Sequence, residues 1–570
     1  MPEEVNIRIS GEAGQGMQTI GQALCLIYKN AGLNVFANQD YMSRIKGGNN
    51  FFQIRISSRP VYTLRRNVDI AVALDKASIT LHQEALTSGG MMLLDRSKFG
   101  ISQENSAFFD IPLSEFAMKT GGNEIFTNSV ACGALSAMTG VEFNCAEEVF
   151  KAVFSDKPED VVKKNIAAAL AGYKFIKDNF RRRIFQLKAG DLKSQLVLGG
   201  HEALSLGAIR AGCKFYCAYP MTPSTGIMNT IAHYAGRFNI AVEQAEDEIA
   251  AVNMAIGASF AGVRAMTASS GGGFALMAEG LSLAGMTETP LVTVLAQRPA
   301  PATGFPTRTE QGDLDFAIHA GHGEFARVVY APGTIEEAFY LTVKAFNIAE
   351  KYQIPVLILS DQHLADSYRN IEMFDLESAK TRRYIISKED SKDITDYRRY
   401  RLTDSGISPR AIPSWIEEVF YADSDEHNES GHITEDALTR VKMVEKRFSK
   451  KMEGLKREII KPTLFNVPGA EIILVGFGST YGILKEAAES IREKKIGFIH
   501  LAQVWPFPGE EIEGILGRAK KTISVENNAQ AQLARLIRRE TGIKMDKSIL
   551  KFDGRPFDLD FFRECLEKEF

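Results

Sequence analysis

Short apolar runs alternate with amphipathic segments along most of the chain. Residues 5–10, 215–219 and 291–297 each have the length and the side chains of a buried strand. A turn and a helical pattern follow the first two of these runs. Such alternation is typical of βαβ units, whose helices cover a parallel sheet. The pattern therefore predicts a multidomain α/β protein with doubly wound parallel sheets.

The same pattern, together with changes in composition, divides the chain into four parts. They are a first α/β unit (1–188), a second (189–372), a charged connector (373–465) and a last α/β unit (466–570). Residues 437–458 of the connector predict a charged helix of the solvated type. The connector also holds His427 and His432 among carboxylates, which suggests either a metal site or a structural loop at a subunit contact.

Composition narrows the class of protein. The chain is 45% hydrophobic and 24% charged, and its net charge of -4 provides no basic surface for nucleic acid. Arg264 and Glu279 interrupt the most apolar long stretch, residues 255–286, so we expect no membrane span. The start MPEEVNIRIS lacks the pattern of an export signal, and the six cysteines match no cluster motif. We therefore expect a cytoplasmic protein with reduced cysteines.

Two predicted strands end in residues that suit a ligand site. The strand FYCAY runs into a proline-rich turn that holds Thr222, and the strand NIAVEQ runs into Glu246 and Glu248. Ligands of parallel sheets lie beyond the carboxyl ends of the strands, so a hydroxyl and a carboxylate would face one crevice. The alternative is a turn capped by Ser224 or Thr225 beside acidic residues that favour a helix N-terminus.

Glycine-rich turns follow two further strands. GEAGQG, residues 11–16, opens the first predicted helix, where free backbone N–H groups can seat an anion. The strand VRAMTASS ends in three successive glycines, 271–273, which let the backbone approach a ligand closely. A tight turn without a ligand is the alternative explanation of the first pattern. Its GxxGxG spacing is not the dinucleotide fingerprint GxGxxG, which argues against a nicotinamide dehydrogenase that would use Asp40.

Five longer motifs carry a resemblance to a known family. They are GHEALSLGAIRAGCKFY, YPMTPST, EDEIAAVNMAIGAS, QRPAPATGFPTRTEQGDL and DEHNESGHITED. With them, nearly the whole chain resembles the α subunit of the 2-oxoacid:ferredoxin oxidoreductases, in the form in which a γ domain is fused to α. The resemblance implies a γ-type domain at 1–188, a thiamine-diphosphate pyrimidine-binding domain at 189–372 and a transketolase C-terminal-like domain at 466–570.

The resemblance also implies roles for individual residues. Glu248 matches the carboxylate that contacts N1′ of the thiamine aminopyrimidine, with Glu246 as its local rival. Thr222 and Arg298 match residues that bind the 2-oxoacid, and a guanidinium suits a carboxylate because it can bind in bidentate fashion. Thr307 matches a further residue on the substrate side.

The cofactor and the co-substrate have their own candidate residues. Pro220, Gly271 and Gly272 lie in the turns expected to touch thiamine diphosphate. For coenzyme A the candidates are Gly14, Gly16, Arg44 and Lys46, since free N–H groups and cations favour its phosphates and since a basic loop of the γ domain lies near coenzyme A in the family.

The diphosphate half of the expected site is missing from the sequence. Thiamine enzymes hold Mg²⁺ with a GDG segment and a later Asn, and neither Gly190-Asp191 nor Gly312-Asp313 completes that pattern. We therefore expect a β subunit that supplies the diphosphate and Mg²⁺ site and a [4Fe-4S] cluster, in an (αβ)₂ hetero-oligomer that reduces ferredoxin. A non-catalytic scaffold subunit is the alternative.

The substrate class rests on the loop ATGFPTRTEQGD. A fused γ–α chain with this loop looks more like the 2-oxoglutarate and broad 2-oxoacid branch than the dedicated pyruvate enzymes. Arg308, with the hydroxyls of Thr303, Thr307 and Thr309, could receive the second carboxylate of 2-oxoglutarate, giving succinyl-CoA. Pyruvate, branched-chain or broad 2-oxoacid specificity remains the alternative.

Overall fold

The computed structural model describes residues 3–12, 16–42, 48–102, 105–180, 187–192 and 194–570. The chain divides into two compact units. Unit 1 comprises Met1–Gly199, Asp366–Met373 and Phe557–Phe570, and unit 2 comprises Gly200–Ala365 and Phe374–Pro556. No helix in the described ranges is both long enough and apolar enough to cross a membrane.

Strands and helices alternate through the first part of unit 1. The strands are β1 (Glu4–Glu12), β2 (Asn34–Asp40), β3 (Asn49–Ser57), β4 (Val68–Ala73), β5 (Leu86–Leu94), β6 (Phe108–Asp110) and β7 (Leu196–Gly199). The helices are α1 (Met17–Asn30), α2 (Lys76–His82), α3 (Arg96–Phe99), α4 (Leu113–Gly121), α5 (Thr127–Met138), α6 (Phe143–Val153) and α7 (Glu159–Asn179).

The first part of unit 2 continues the alternation. Its strands are β8 (Phe215–Ala218), β9 (Ala241–Gln244), β10 (Ala265–Ser269), β11 (Leu291–Gln297), β12 (Val328–Tyr330) and β13 (Pro355–Asp361). Its helices are α8 (Gly200–Arg210), α9 (Thr225–Phe238), α10 (Glu248–Phe260), α11 (Gly271–Leu276), α12 (Ala278–Met286), α13 (Leu314–His319), α14 (Ile335–Tyr352) and α15 (Gln362–Ala365). Strand β14 (Ser367–Ile371) then belongs to unit 1.

The rest of the chain is largely irregular up to residue 436, is then helical to residue 456, and afterwards alternates again. Helices α16 (Ala437–Val444) and α17 (Lys451–Lys456) are joined by a π-helical segment, Glu445–Lys450. The later strands are β15 (Thr463–Phe465), β16 (Ile472–Phe477), β17 (Ile496–Leu501), β18 (Gln503–Trp505), β19 (Thr522–Glu526) and β20 (Lys547–Leu550). The later helices are α18 (Tyr481–Ser490), α19 (Gly509–Leu516), α20 (Gln532–Thr541) and, in unit 1, α21 (Leu559–Glu567).

Unit 1 is built on one mixed sheet with the order β6-β5-β4-β1-β3-β2-β14-β7. Strands β1, β4, β5 and β6 are parallel neighbours, whereas β3, β2, β14 and β7 pair in antiparallel fashion. Helices α5 and α7 pack closely because a glycine lies at their contact. A Cβ at Gly133 of α5 would lie 1.8 Å from the carbonyl oxygen of Ala169 in α7. The doubly wound parallel arrangement therefore covers only half of this sheet.

Unit 2 contains two sheets. The first has the order β18-β12-β13-β11-β10-β8-β9 and is parallel apart from β18, and the second has the order β15-β17-β16-β19-β20 and is parallel apart from β15. One core joins them, in which Phe274 and Leu295 belong to the same apolar cluster as Val475 and Phe477. The predicted α/β class with parallel sheets is confirmed.

The helical segment that ends the connector is anchored by buried charges. The ammonium groups of Lys446 and Lys451 lie 2.5 and 2.6 Å from the two carboxylate oxygens of Glu288, and all three side chains are at most 1% exposed. Burial by itself would raise the pKa of the Glu288 carboxyl, but these cations and Arg399 hold it well below its ordinary value. The prediction of a solvated helix is wrong here, because a carboxylate far away in sequence binds its lysines.

Candidate active site

The turn after β8 brings the backbone of Thr222 to the guanidinium of Arg298. Arg298 Nη1 donates a hydrogen bond of 2.6 Å to the Thr222 carbonyl oxygen, and the Arg298 side chain is 9% exposed. Pro220 is half-buried in the same turn. Ser224 occupies the N-cap position of α9, but its hydroxyl donates back to the Met221 carbonyl instead of capping the helix. The two predicted substrate residues, Thr222 and Arg298, are therefore neighbours.

The acidic residues after β9 have different surroundings. Glu248 is the first residue of α10 and is only 3% exposed, whereas Glu246 is exposed. Asp247 caps the helix by accepting a hydrogen bond of 2.8 Å from Ala250 N. The hydroxyl of Ser269, at the end of β10, donates to Glu248 Oε1 at 3.1 Å. Burial thus favours Glu248 over Glu246 as the candidate for binding a ligand at this edge of the sheet.

The glycines after β10 differ in what surrounds them. A Cβ at Gly273 would lie 2.1 Å from Glu248 Oε1 and 2.2 Å from Ser269 Oγ, so this position has no room for a side chain. A Cβ at Gly271 would lie 2.7 Å from Asp313 Oδ2. Gly272 has open space in that direction, as a close approach to a ligand requires. The sequence indicated all three glycines as a turn that can approach a ligand, but only Gly271 and Gly272 were predicted to touch the cofactor.

Replacing Gly273 by alanine is expected to displace one of these two groups, and in an enzyme that uses the group a displacement of about 1 Å lowers kcat/KM by about 10²-fold. The new methyl group would have to move the carboxylate of Glu248 or the hydroxyl of Ser269. Gly257→Ala, on the exposed side of α10 with nothing within 4 Å, is the matched control. Equal kcat/KM for both variants and the unmodified enzyme would contradict this reading of Gly273.

The loop after Arg298 is exposed at first and becomes buried towards α13. Thr303 is exposed, while Thr307 and Arg308 are half-buried. Thr309 is 1% exposed, and its hydroxyl accepts a hydrogen bond of 3.1 Å from His363 N. The Thr309 hydroxyl therefore binds the protein's own backbone, whereas the side chains of Thr307 and Arg308 remain partly exposed.

The last sheet of unit 2 holds the end of this loop. Gln311 is fully buried, its N–H donates to Asn527 O at 2.7 Å, and its side-chain amide donates to Phe477 O at 2.9 Å. Gln532 donates to Gly312 O at 2.7 Å. The part of the chain predicted as a C-terminal-like domain therefore fixes the backbone that leads to Asp313.

The candidate residues in the γ-type domain are only partly described. Gly16 is the N-cap residue of α1, with a φ of 72°, a conformation that glycine adopts without strain. Gly11 lies within β1, paired with Asn50, and therefore not in the turn that the sequence suggested. Gly14, Arg44 and Lys46 lie outside the described residues.

The connector histidines do not form a metal site within the described ranges. His427 is fully buried against Tyr400, with 4.2 Å between the ring centroids, whereas His432 is exposed. No group of three or more His, Cys, Asp or Glu side chains in the described part of the chain could hold a metal ion.

Three family models match successive parts of this chain. "Pyruvate ferredoxin/flavodoxin oxidoreductase" matches residues 6–175, "Pyruvate flavodoxin/ferredoxin oxidoreductase, thiamine diP-bdg" matches 206–446, and "Pyruvate:ferredoxin oxidoreductase core domain II" matches 470–560. The second range contains every residue of the strand-end site described above in β8, β9, β10 and β11.

Individual proteins match over nearly the full length. The 2-oxoacid:ferredoxin oxidoreductase subunit alpha of Sulfolobus sp is 33% identical over 98% of this chain and 96% of its own. The 2-oxoglutarate oxidoreductase subunit KorA of Mycobacterium tuberculosis is 28% identical, covering 98% and 90%. The solved 2-oxoglutarate:ferredoxin oxidoreductase of Magnetococcus marinus, with 2-oxoglutarate, coenzyme A and succinyl-CoA bound, is 31% identical with a TM-score of 0.90, covering both chains completely.

Proposed function

This chain belongs to the family of thiamine-diphosphate-dependent 2-oxoacid:ferredoxin oxidoreductase α subunits, and we propose that it performs half of the chemistry of such an enzyme. The reaction is the coenzyme A-dependent oxidative decarboxylation of a 2-oxoacid, with ferredoxin as the electron acceptor. The observation that carries the proposal is the buried carboxyl of Glu248, at the sheet edge where Thr222 and Arg298 also meet.

The residues at this edge fit thiamine diphosphate. Glu248 is buried and has a hydroxyl donor on Oε1, and a carboxyl group has a second oxygen for a ring nitrogen. Gly272 provides open space beside it. When bound, thiamine diphosphate supplies the carbon nucleophile for the oxo group and the electron sink for loss of CO₂.

The residues of this chain would orient the reactants and hold one proton. Glu248 would hold N1′ of the aminopyrimidine and share a proton with that nitrogen, and Ser269 would keep the carboxyl in place. Arg298 would bind the carboxylate of the 2-oxoacid. Its Nη1 is fixed by the Thr222 carbonyl, so the planar guanidinium is oriented before the substrate arrives.

A β subunit would complete the site. The sequence has no GDG segment with a following Asn, so we place the diphosphate, Mg²⁺ and the [4Fe-4S] cluster on that partner. The family name implies ferredoxin as acceptor, and we propose an (αβ)₂ assembly. No disulfide joins any of the six cysteines, all of which the structure describes, and this suits a reducing compartment such as the cytoplasm. The domain division at residues 188, 372 and 465 is part of the same proposal.

Coenzyme A is the proposed second substrate, as in the Magnetococcus marinus enzyme whose structure contains it. The proposal that Gly14, Gly16, Arg44 and Lys46 lie on its route rests on the sequence pattern. In the variant with both Arg44→Ala and Lys46→Ala, we expect a higher KM for coenzyme A and an unchanged KM for the oxoacid.

The assay that tests the function compares the chain alone with the chain plus its β subunit. Reduction of methyl viologen should require both subunits, coenzyme A and a 2-oxoacid, because each subunit holds one half of the site. Activity of the chain alone would contradict the split site. Reduction of NAD⁺ in place of viologen would instead favour a nicotinamide dehydrogenase, and an inactive pair of subunits would favour a scaffold.

We propose 2-oxoglutarate as the preferred substrate, since the matched Magnetococcus marinus and Mycobacterium tuberculosis proteins are named for it. The half-buried Arg308 is the candidate for its second carboxylate. Arg308→Ala should therefore lower kcat/KM for 2-oxoglutarate by about 10–100-fold, as the loss of a charged hydrogen bond does. It should leave pyruvate turnover unchanged.

The corresponding measurement is kcat/KM for 2-oxoglutarate, pyruvate and 2-oxoisovalerate in the assembled complex. A strong preference of the unmodified enzyme for pyruvate or 2-oxoisovalerate would refute the substrate assignment. An unchanged preference in Arg308→Ala would remove Arg308 from it while leaving the assignment itself in place.

A further inference from the structure

An open groove of about 570 Å³ lies within unit 2, next to the candidate active site. One wall is formed by α10, α11 and α12 and includes Ile249 and Leu276, and the connector contributes Arg440 and Val444 to the lining. Ile249 directly follows Glu248, and Leu276 ends the helix that starts with the three glycines. The groove therefore begins at the residues that fit thiamine diphosphate.

The apolar wall of this groove is built from a helix that is apolar on every side. After Glu248 at its start, α10 has no charged residue, and only Asn253 and Ser259 have polar side chains. A helix of this kind is normally buried all round. Here Ile249 is 48% exposed, and Leu276 of the neighbouring α11 is 49% exposed. Apolar residues that share one exposed groove mark a surface that another molecule covers.

The groove also carries an excess of negative charge. Its charged lining residues are Glu279, Glu324, Arg440 and Arg447. Both arginines are already paired with Glu426, at 2.5 Å from Arg440 Nη1 and 2.7 Å from Arg447 Nη2. Glu279 and Glu324 form no ion pair with any residue in the described ranges. Two carboxylates are thus available to lysine or arginine side chains of a partner.

We propose that the β subunit docks in this groove and against the exposed sides of α10 and α11, with basic side chains directed at Glu279 and Glu324. The cofactor identifies the occupant. This chain's sequence lacks the diphosphate half of the site, so the protein that supplies it must reach to within one thiamine diphosphate molecule of Glu248. The groove adjoins that position. This inference rests on the proposed function and deepens it by naming the surface that the partner covers.

The apolar part of the surface is tested by Leu276→Glu. This change should weaken the association with the β subunit by about 10²-fold or more, because docking would bury a carboxylate without a partner. Leu464→Glu is the matched control, since Leu464 is 50% exposed, lies in β15 outside the groove and should leave the affinity unchanged. Surface plasmon resonance without thiamine diphosphate gives Kd, and circular dichroism checks the fold of each variant.

The charged part of the surface is tested by Glu279→Gln. Loss of a charge at the edge of an interface mainly slows association and reduces its dependence on salt. Glu513→Gln, which removes an exposed carboxylate of α19 outside the groove, is the control and should change neither. Association rates at 50 and 300 mM salt, on the same surface, would contradict the proposed role of Glu279 if the two variants behaved alike.

Two results would overturn the docking surface while leaving the proposed function intact. One is an unchanged Kd for the β subunit in Leu276→Glu, including the case in which this variant loses only self-association, since the groove would then hold a second copy of this chain. The other applies even if the variant fails to fold: the β subunit would leave hydrogen–deuterium exchange in residues 248–286 of the unmodified chain unchanged. A complex that assembles through the groove but turns over no 2-oxoacid would overturn the proposed function instead.

Discussion

Replacing Glu248 by glutamine is expected to lower turnover of the assembled enzyme by about 10²–10⁴-fold, the usual contribution of a group that shares a proton in catalysis. Glutamine keeps the size of the side chain, and its amide oxygen can still accept the hydrogen bond from Ser269. An amide cannot share a proton with a ring nitrogen as a carboxyl group does. The loss should therefore appear in kcat, with assembly and folding unchanged.

Glu246→Gln is the matched control for this prediction. It makes the same chemical change two residues earlier, at an exposed position. Steady-state reduction of methyl viologen gives kcat for both variants, and size-exclusion chromatography with the β subunit checks their assembly. If Glu246→Gln loses turnover and Glu248→Gln does not, the assignment is shifted by two residues and burial is a poor guide to the catalytic carboxyl.

Replacing Glu288 by alanine is expected to lower the free energy of unfolding of unit 2 by about 3–5 kcal/mol, because removal of one partner leaves buried charges uncompensated. Glu288 is the shared counter-ion of Lys446 and Lys451, and neither lysine side chain is more than 1% exposed. The substitution would therefore detach the helical end of the connector from the sheet domain that carries the site.

Urea denaturation, monitored by tryptophan fluorescence, measures the free energy of unfolding of unit 2. Both tryptophans, Trp415 and Trp505, lie in unit 2. Glu453→Ala removes an exposed partner of Arg457 from the same helical segment and should cost no more than about 1 kcal/mol. Comparable losses in the two variants would show that burial of the Glu288 cluster adds nothing to stability.

The pH dependence of the Glu288→Ala variant provides a second check. Burial already lowers the pKa values of Lys446 and Lys451 with Glu288 present, and removal of this counter-ion would lower both pKa values further below those of the unfolded chain. The unfolded state would then bind more protons, so the stability of this variant should rise with pH. The difference from the unmodified protein should accordingly be smaller at pH 9 than at pH 7.

Local sequence patterns predicted the strand ends that form the candidate site. Strand-length apolar runs that end in proline, acidic residues or glycines predicted the strand ends after β8, β9 and β10, and the structure places them side by side in one sheet. The motif that contains Glu248 pointed to that residue before its burial was known. These features depend on neighbours within a few positions, which a sequence displays directly.

Only the tertiary structure decided which members of each group are buried, because their partners are distant in the chain. A side chain at Gly273 would meet Glu248, 25 residues away, and a side chain at Gly271 would meet Asp313, whose Gly312-Asp313 pair the sequence showed only as an incomplete diphosphate motif. Lys446 and Lys451 read as solvent-facing until Glu288 was seen beside them. The antiparallel half of unit 1 is likewise extended by β14 (residues 367–371), which pairs with β2 and β7, and no local sequence pattern predicts that pairing.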